Sequence, residues 1–232
     1  MKTLLFSLLL LFSSLAANAQ QTEPTTTAGE RLYVGVGLTS ISYHIYYKGP
    51  QLSGFLPTGY FAPVAVNLGY WLNERASIQI GAAYGGSKDK GSWSDVSASG
   101  EVITHDETSK TRAVAVPVTG RFVFFKVYKR FPLYGTATLL SAWGFTQSST
   151  AEAKNGGTPT IITEHYKGIN VFATAGVGFN YKISNRFTGY VEVLPFKYNL
   201  NGHNSFYHDW ERYATKDRRF YKSFSVGVNY SL

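Results

Sequence analysis

The feature that most constrains the fold of this chain is a strict alternation of large apolar residues with small or polar ones. It is clearest in the closing segment SFSVGVNYSL, where Phe224, Val226 and Val228 alternate with serine, glycine and asparagine. A period of two residues indicates a β-strand with two unlike faces. Serine and glycine are too small to fill the core of a soluble sheet. We therefore expect the apolar face to contact lipid and the small polar face to line the inside of a barrel.

The same alternation recurs in eight segments separated by turn signals. The predicted strands are residues 32–46, 61–72, 77–84, 112–125, 133–146, 166–181, 187–198 and 219–232. Three tight turns lie near residues 73–75, 127–130 and 184–186, and four long polar connections span 47–60, 85–111, 147–165 and 199–218. This layout predicts an all-β fold, an eight-stranded antiparallel up-and-down transmembrane β-barrel with short periplasmic turns and long extracellular loops. Because a sheet in lipid must leave no unpaired edge, the last strand is expected to pair with the first.

The first residues have the pattern of an export signal. Lys2 is followed by an apolar run over residues 4–15 and by the small-x-small site of Ala17 and Ala19. The expected organisation is a signal peptide over residues 1–20, a short periplasmic segment over 21–30 and the barrel domain over 31–232. The chain contains no cysteine, which excludes disulfides, cysteine–metal sites and a lipid-anchored lipoprotein.

Composition agrees with an outer-membrane location. Aromatic residues make up 16% of the chain, and 23 of its residues are glycine. After Leu15 the sequence has no apolar run long enough for a transmembrane helix. The formal net charge is +8, but the cations are scattered along the chain, so we expect no nucleic-acid partner.

Two charges are expected near the middle of inward faces, Arg121 and Glu192. Because a buried charge needs a partner, we predict that they form an ion pair across the lumen. A structural plug is the favoured interpretation of this pair, and a gate or proton path is the alternative. The other inward residues are expected to be Tyr33, Tyr43, Asn67, Gln79, Tyr134, Asn170 and Tyr190. Outward aromatic residues near the strand ends are expected to form two interfacial girdles: Tyr70, Trp143, Phe145, Phe179, Tyr181, Phe187, Phe220 and Tyr230.

The segment NGHNSFYHDWERY contains the best candidates for catalysis. His203, Ser205 and Glu211 could act as base, nucleophile and orienting carboxylate in acyl transfer. A His-x-Ser pair followed by glutamate resembles the motif of lipid A deacylases, which are eight-stranded barrels. In that family the serine is followed by Asn-Ala and the motif lies on a strand, whereas here Phe206 and Tyr207 follow and the motif opens a loop. A lipid A acyl hydrolase is therefore kept as the alternative function.

The long connections also provide candidates for binding. The last one carries Trp210, Arg212, Tyr213, Arg218 and Arg219, residue types that anchor binding surfaces or meet the phosphates of lipopolysaccharide. The second, residues 85–111, is rich in serine and glycine, and we expect it to be mobile and to carry strand extensions above the membrane.

All five histidines, His44, His105, His165, His203 and His208, are expected on the long-loop side. No pair of them has the spacing of a metal motif, so no metal site is predicted.

Taken whole, the chain resembles the small outer-membrane β-barrel proteins of Bacteroidetes-type bacteria, which share the architecture of the barrel of outer-membrane protein A. The signal sequence, VAVPVTGRFVFF, VFATAGVGFNYKISNRF and the terminal SVGVNYSL carry the resemblance. The last segment also resembles the signal read by the barrel-assembly machinery, although it ends in Leu232 where an aromatic residue is usual. The family includes adhesins, envelope-stabilising proteins and secretion components. No periplasmic peptidoglycan-binding domain is expected, because the chain ends with the last strand.

These observations predict a monomeric, non-enzymatic outer-membrane barrel without cofactors, whose loops bind or shield at the cell surface. The expected partners are outer-membrane lipids, lipopolysaccharide, the assembly machinery and an unidentified extracellular ligand or envelope protein. A small pore is the third alternative, and it fails if side chains fill the lumen.

Overall fold

The computed structural model describes residues 31–47, 59–127, 131–201 and 215–232. Ten strands and one short helix account for most of them. The strands are β1 (Leu32–Thr39), β2 (Tyr43–His44), β3 (Tyr60–Phe61), β4 (Val64–Trp71), β5 (Ala76–Val96), β6 (Val102–Val127), β7 (Phe131–Lys154), β8 (Thr160–Lys182), β9 (Phe187–Asn199) and β10 (Phe224–Ser231), and the helix is α1 (Lys216–Tyr221). Within the described residues, no helix is both long and apolar enough to cross a membrane.

Eight of the strands form one closed antiparallel barrel in the order β1-β10-β9-β8-β7-β6-β5-β4. The seam that closes it joins the two ends of the described chain, with Val36 opposite Val228 and Gly37 opposite Gly227. The predicted eight-stranded fold and the pairing of the last strand with the first are both confirmed. Within the ring, closure leaves every strand paired on both sides, which satisfies the backbone there without an exposed edge.

The two faces of the barrel differ as the alternation predicts. In β1, Leu32, Val34, Val36 and Leu38 point outward and are exposed, whereas Tyr33 is only 2% exposed on the inner face. The same pattern holds around the ring, so that exposed leucine, isoleucine, valine and aromatic side chains cover the outside. Of the eight predicted outward aromatics, six are exposed on barrel strands: Tyr70, Trp143, Phe145, Phe179, Tyr181 and Phe187. Tyr230 is half-buried on β10, and Phe220 lies on α1 and not on a barrel strand.

The first predicted strand was too long. It ends at Thr39, and the chain then turns into the mouth of the barrel, where β2 pairs with β3 as a separate two-stranded sheet. Phe61, predicted to begin the next barrel strand, belongs to β3, and the barrel strand β4 begins at Val64. The physical reason is burial, because the inward turn packs Ile41 and Ile45, which are 0% and 1% exposed, among apolar side chains in the mouth of the barrel.

Strands β5 to β8 continue well past the ends predicted for them. The two connections expected as long loops at 85–111 and 147–165 are mostly strand, and they pair into a four-stranded sheet above one end of the barrel, here called the sheet extension. Its two hairpins close in short turns, where Gly100 (φ 81°), Asn155 (φ 48°) and Gly156 (φ 72°) adopt the left-handed conformation that such turns require. The strand extensions expected for the second connection are thus confirmed.

The last predicted strand was also too long, since residues 219–221 belong to α1 and the strand begins at Phe224. Thr215 caps the helix by accepting a hydrogen bond from the backbone N–H of Arg218. At the other end, the Lys197 ammonium donates to the carbonyl oxygen of Lys222 at 3.0 Å and to Ser223 Oγ at 3.2 Å. A cation at a helix C-terminus is favourable, and this contact ties α1 to β9.

The turns around 73–75 and 184–186 are confirmed. In the first, Asn73 Oδ1 accepts from the backbone N–H groups of Arg75 and Ala76, both at 2.8 Å. In the second, Ser184 Oγ accepts from the N–H of Phe187 at 3.1 Å. The third predicted turn, at 127–130, lies mostly outside the described residues.

Candidate functional site

The lumen contains a buried ionic layer near its middle. Arg121 and Glu192 are 6% and 5% exposed, and Arg121 Nε donates to Glu192 Oε1 at 2.8 Å. A second guanidinium nitrogen donates to Gln79 Oε1 at 2.9 Å, and the Tyr134 hydroxyl donates to the same Glu192 oxygen at 3.1 Å. The guanidinium also lies 4.4 Å from the ring centre of Tyr190. The structure therefore brings the two expected charges together and surrounds them with donors, acceptors and aromatic rings.

This ionic layer fills the lumen with buried side chains that satisfy one another's charges and hydrogen bonds. All nine residues expected on the inner face are at most 6% exposed: Tyr33, Tyr43, Asn67, Gln79, Arg121, Tyr134, Asn170, Tyr190 and Glu192. Both charges are neutralised by direct contact, and the carboxylate accepts from two donors. A buried ion pair with its remaining sites satisfied resists rearrangement, because breaking it leaves a charge unpaired in a region of low polarity.

A second, apolar layer fills the wider mouth. The inward-turning segment 41–47 and β3 pack against small and apolar side chains of the barrel wall. The Tyr43 ring lies 5.5 Å from Phe61 and 5.1 Å from Phe172 between ring centres. We call this cluster the apolar plug, and its buried members are Ile41, Tyr43, Ile45, Phe61, Ala83, Ala113, Ala115, Leu140, Ala142, Phe172 and Leu194.

Hydrogen bonds hold the apolar plug in register with the wall. Asn170 Oδ1 accepts from the backbone N–H of Tyr46 at 3.1 Å, and Asn170 Nδ2 donates to the carbonyl oxygen of Tyr46 at 3.0 Å. Asn199 Nδ2 donates to Asn170 Oδ1 at 2.7 Å. On the opposite side, the backbone N–H of Gly59 donates to Thr111 Oγ1 at 3.0 Å. The inserted segment thus has its polar backbone satisfied where it is buried.

Between the two layers lies a cavity of about 70 Å³. It is lined by both kinds of group, with Arg121 and Glu192 on one side and Tyr43, Leu140 and Leu194 on the other. A space of this size with polar walls accommodates only a few water molecules.

The two faces of the sheet extension carry charge of mostly opposite sign. The face continuous with the inside of the barrel has five carboxylates and one lysine: Asp89, Asp95, Glu107, Glu152, Glu164 and Lys154. The face continuous with the outside has five cations and one carboxylate: Lys88, Lys90, Lys110, Arg112, Lys167 and Asp106. Alternating charge along the strands, as in Lys88-Asp89-Lys90, produces this separation because successive side chains point to opposite faces.

An aromatic and ionic group occupies the inner face of the extension. Trp93 stacks on His105 with ring centres 5.2 Å apart and planes at 11°. The His105 ring nitrogens lie 3.7 Å from Asp95 Oδ2 and 3.4 Å from Glu152 Oε1. Nearer the barrel, the Tyr166 hydroxyl donates to Glu164, and loss of hydration together with this bond raises the pKa of Tyr166 to about 12. That hydroxyl therefore remains a donor throughout the physiological pH range.

The expected catalytic and loop residues are only partly within the described chain. His203, Ser205 and Glu211, and the binding candidates Trp210, Arg212 and Tyr213, lie outside the described residues, as does His208. Arg218 and Arg219 lie on α1. His44, His105 and His165 occupy three different strands, and among the described residues no group of three or more histidine or acidic side chains has the geometry to hold a metal ion.

Sequence reasoning missed the apolar plug and the length of the sheet extension. A signal for the extension was present, because the period of two continues through SKDKGSWSD once charge is followed in place of hydropathy. A weaker signal existed for the apolar plug, because the apolar positions shift from even residues in β1 to the odd residues Ile41, Tyr43 and Ile45. That shift marks a break in the strand but does not show that the segment enters the mouth.

No known protein family matches the sequence, and no curated protein matches it at a significant level. Among solved structures, the chain is similar to Ail, the attachment invasion locus protein of Yersinia pestis (14% identity, 86% of this chain and 91% of that chain, TM-score 0.36). It is also similar to CarO2 of Acinetobacter baumannii (13% identity, 87% and 98%, TM-score 0.32) and to CarO of the same organism (15% identity, 89% and 100%, TM-score 0.31). At these scores the fold assignment rests on the strand pairing of this chain itself, and membership of a Bacteroidetes-type family stays a prediction.

Proposed function

We propose that this chain is an integral outer-membrane β-barrel with a closed lumen, and that its sheet extension is an extracellular, non-enzymatic binding surface. The observation that carries the proposal is the exterior of the closed sheet, where large apolar side chains are exposed on every strand. A surface of this extent is unfavourable in water and favourable in hydrocarbon.

The dimensions of the apolar surface support a membrane-spanning role. On β6 the outward apolar residues run from Val114 to Phe124. Ten residues of strand cover roughly 33 Å, which at a tilt of about 40° corresponds to a band of about 25 Å, the height expected for an outer-membrane barrel. Beyond this band only β5 to β8 continue, and they do so with polar and charged residues. We expect a monomer inserted by the barrel-assembly machinery.

The orientation is testable by single-cysteine labelling, which is clean here because the natural chain has no cysteine. Ala98→Cys lies in the turn between β5 and β6 at the tip of the extension, and Asn185→Cys lies in the short turn between β8 and β9. In intact cells we expect a membrane-impermeant maleimide to label Ala98→Cys and to leave Asn185→Cys unlabelled until the cells are lysed. Labelling of Asn185→Cys alone would reverse the orientation, and labelling of neither in lysed membranes would refute exposure of both turns.

The binding role is testable by trimming the extension without touching the barrel. Residues 90–108 and residues 150–162 are each replaced by Asn-Gly. The new turns join Asp89 to Ser109 and Ser149 to Thr163, and each of these pairs is already directly opposite in its hairpin. We expect cells that express the trimmed chain to lose adhesion to protein-coated and glycan-coated surfaces relative to the full chain at equal surface abundance. Equal adhesion of cells with the trimmed chain and cells with the full chain would show that the extension is not the binding surface.

The non-enzymatic part of the proposal has its own test against the acyl-hydrolase alternative. We expect mass spectra of lipid A to be identical in cells expressing the natural chain and in cells expressing His203→Ala or Ser205→Ala. An acyl chain missing only with the natural protein would make the protein an esterase.

A further inference from the structure

We propose that the outward face of the sheet extension holds a site for the phosphate groups of the outer-leaflet glycolipid. The site consists of Lys88, Lys110, Arg112 and Lys167, here called the basic patch. This inference rests on the proposed membrane-spanning barrel and assigns it a lipid partner at stated residues.

The strand register places the basic patch at one level. A row here is a set of four directly paired residues, one from each of β5, β6, β7 and β8, whose side chains face outward. Three such rows follow one another from the barrel toward the tip of the extension. The first row is apolar, the second is mixed and the third is polar and cationic. They are, in that order, Tyr84-Val114-Trp143-Ile169, Gly86-Arg112-Phe145-Lys167 and Lys88-Lys110-Gln147-His165. The change from hydrocarbon-compatible to cationic side chains is therefore complete within two rows, which is roughly 13 Å along the strands.

That level is where a membrane presents phosphate. Trp143 and Phe145 are exposed aromatic residues of the kind that mark the interface. Arg112 is flanked by Gly86 and Phe145 in its row, and Lys167 lies 6.0 Å from the centre of the Phe145 ring. Long basic side chains at such a position keep their stems along apolar surface and their charges among headgroups.

The arrangement of the cations points to an anion between them. Lys88 and Lys110 are directly opposite in the β5–β6 ladder and on the same face. Like charges in that relation destabilise a sheet unless an anion lies between them. All four members are exposed, and none has a salt bridge to a carboxylate within the part of the chain that the structure describes. The outward face of the extension strands carries one carboxylate, Asp106, which lies four residues along β6 from Lys110, roughly 13 Å away, and the others lie on the opposite face.

The shape of the patch suits a phosphorylated lipid better than a single free phosphate. Lys110 and Arg112 are roughly 7 Å apart along β6, and Arg112 and Lys167 are separated by two strand spacings, roughly 10 Å. Cations at these separations cover more than one phosphate or a phosphate together with sugar hydroxyls. A guanidinium and ammonium groups together supply both bidentate and point-charge contacts.

The experiment compares two lipids and two matched variants. The full-length chain is placed in phosphatidylcholine nanodiscs containing either bisphosphorylated lipid A or the same lipid A with its phosphates removed. Native mass spectrometry then measures how much lipid A is retained. The patch variant is Lys110→Gln/Arg112→Gln/Lys167→Gln. The control variant, Arg75→Gln/Lys154→Gln/Lys182→Gln, removes three exposed cations elsewhere.

We expect the natural chain and the control variant to prefer bisphosphorylated lipid A, and the patch variant to lose roughly a hundred-fold of that preference. Inorganic phosphate at the same concentration should not displace the lipid. Equal retention of the two lipids by the natural chain would overturn the proposal, as would an unchanged preference in the patch variant or displacement by inorganic phosphate. The outcome is separate from the fate of the barrel itself, because failure of membrane insertion is detected independently by the labelling of Ala98→Cys and Asn185→Cys.

Discussion

At the scale of the residue, the lumen depends on a few polar contacts between distant strands. Arg121 on β6 and Glu192 on β9 meet across the barrel, and Gln79 and Tyr134 complete their hydrogen bonds from β5 and β7. The local alternation points each of these side chains into the lumen. Burying any one of them is stable only because the others supply its hydrogen bonds or its opposite charge. A charge buried without a partner costs several kcal/mol, so the four strands are coupled through one small network.

This coupling predicts an asymmetry between single and double substitutions. Arg121→Met should lower the free energy of unfolding by about 3–5 kcal/mol, because it leaves Glu192 buried and unpaired. Arg121→Met/Glu192→Met should recover most of that loss. Urea unfolding of the barrel in phospholipid vesicles provides the measurement. If the double variant were as unstable as the single one, the layer would contribute through its shape and not through charge compensation.

Glycines on the inner face make room for the rings of neighbouring tyrosines. A Cβ at Gly69 would lie 2.0 Å from Cζ of Tyr33, whose ring crosses over it from the neighbouring strand. A Cβ at Gly120 would have nothing within 4 Å. Inward glycines thus allow the large tyrosine rings to lie flat against the wall, which explains why the inner face combines the smallest and some of the largest residues.

We therefore expect Gly69→Ala to lower the free energy of unfolding by about 1–3 kcal/mol through overpacking, and Gly120→Ala to change it by less than about 0.5 kcal/mol. The two variants make the same chemical change on strands of the same barrel. Equal effects would mean that the backbone freedom of glycine, and not the space beside Tyr33, determines stability.

At the scale of the element, the segment after β1 shows how tertiary packing overrides a local pattern. Residues 41–47 keep the alternation of a strand, but they leave the wall and bury Ile41 and Ile45 in the mouth. The wall accommodates them because the facing positions are small, including Ala113, Ala115 and Ala142. Continued as a strand, the same residues would leave this space unfilled.

The apolar plug should therefore behave as a core. Ile45→Ala should destabilise the barrel by about 2–5 kcal/mol, as for a fully buried aliphatic side chain. Ile161→Ala is a suitable control, since Ile161 is 67% exposed on the extension and its truncation should cost less than about 0.5 kcal/mol. Thermal unfolding of the two variants in the same lipid would decide. A small effect at Ile45 would show that the segment is not packed as a core in the membrane.

At the scale of the whole molecule, the two layers close the lumen from different directions. The ionic layer is built from barrel side chains, and the apolar layer from a connection that folds inward. Only a cavity of about 70 Å³ separates them. Eight strands enclose just enough space for side chains, and here that space is filled.

We accordingly expect no steady ion conductance from the natural chain in planar bilayers. Breaching both layers with Phe61→Ala/Phe172→Ala/Arg121→Ala should produce a conducting species if the fold survives, which the gel mobility of unheated samples reports. Stepwise conductance from the natural chain would contradict a closed lumen and restore the pore hypothesis.

The alternation of side chains was enough to predict strand bounds and faces in the continuous strands of the barrel. β9 was predicted to within one residue, and eight of the nine inward residues were identified because each lies in a continuous barrel strand where the period of two is unbroken. The ninth, Tyr43, is buried on β2 of the inserted segment. The predicted strand bounds were wrong where the chain stops being a continuous barrel strand. Residues 219–221 alternate like a strand but form the last turn of α1, stabilised by Lys197 from a neighbouring strand.

The sequence by itself determined the number of strands, their faces and the identity of the buried ion pair, because side-chain alternation is a local property of an extended backbone. The tertiary structure alone decided that residues 41–47 enter the mouth, which of the long strands pair in the extension and which cations come to one level on its outward face. These outcomes depend on which strands become neighbours, on the volume left inside the closed barrel and on the pairing of groups far apart in the chain. None of these quantities is encoded within a window of a few residues.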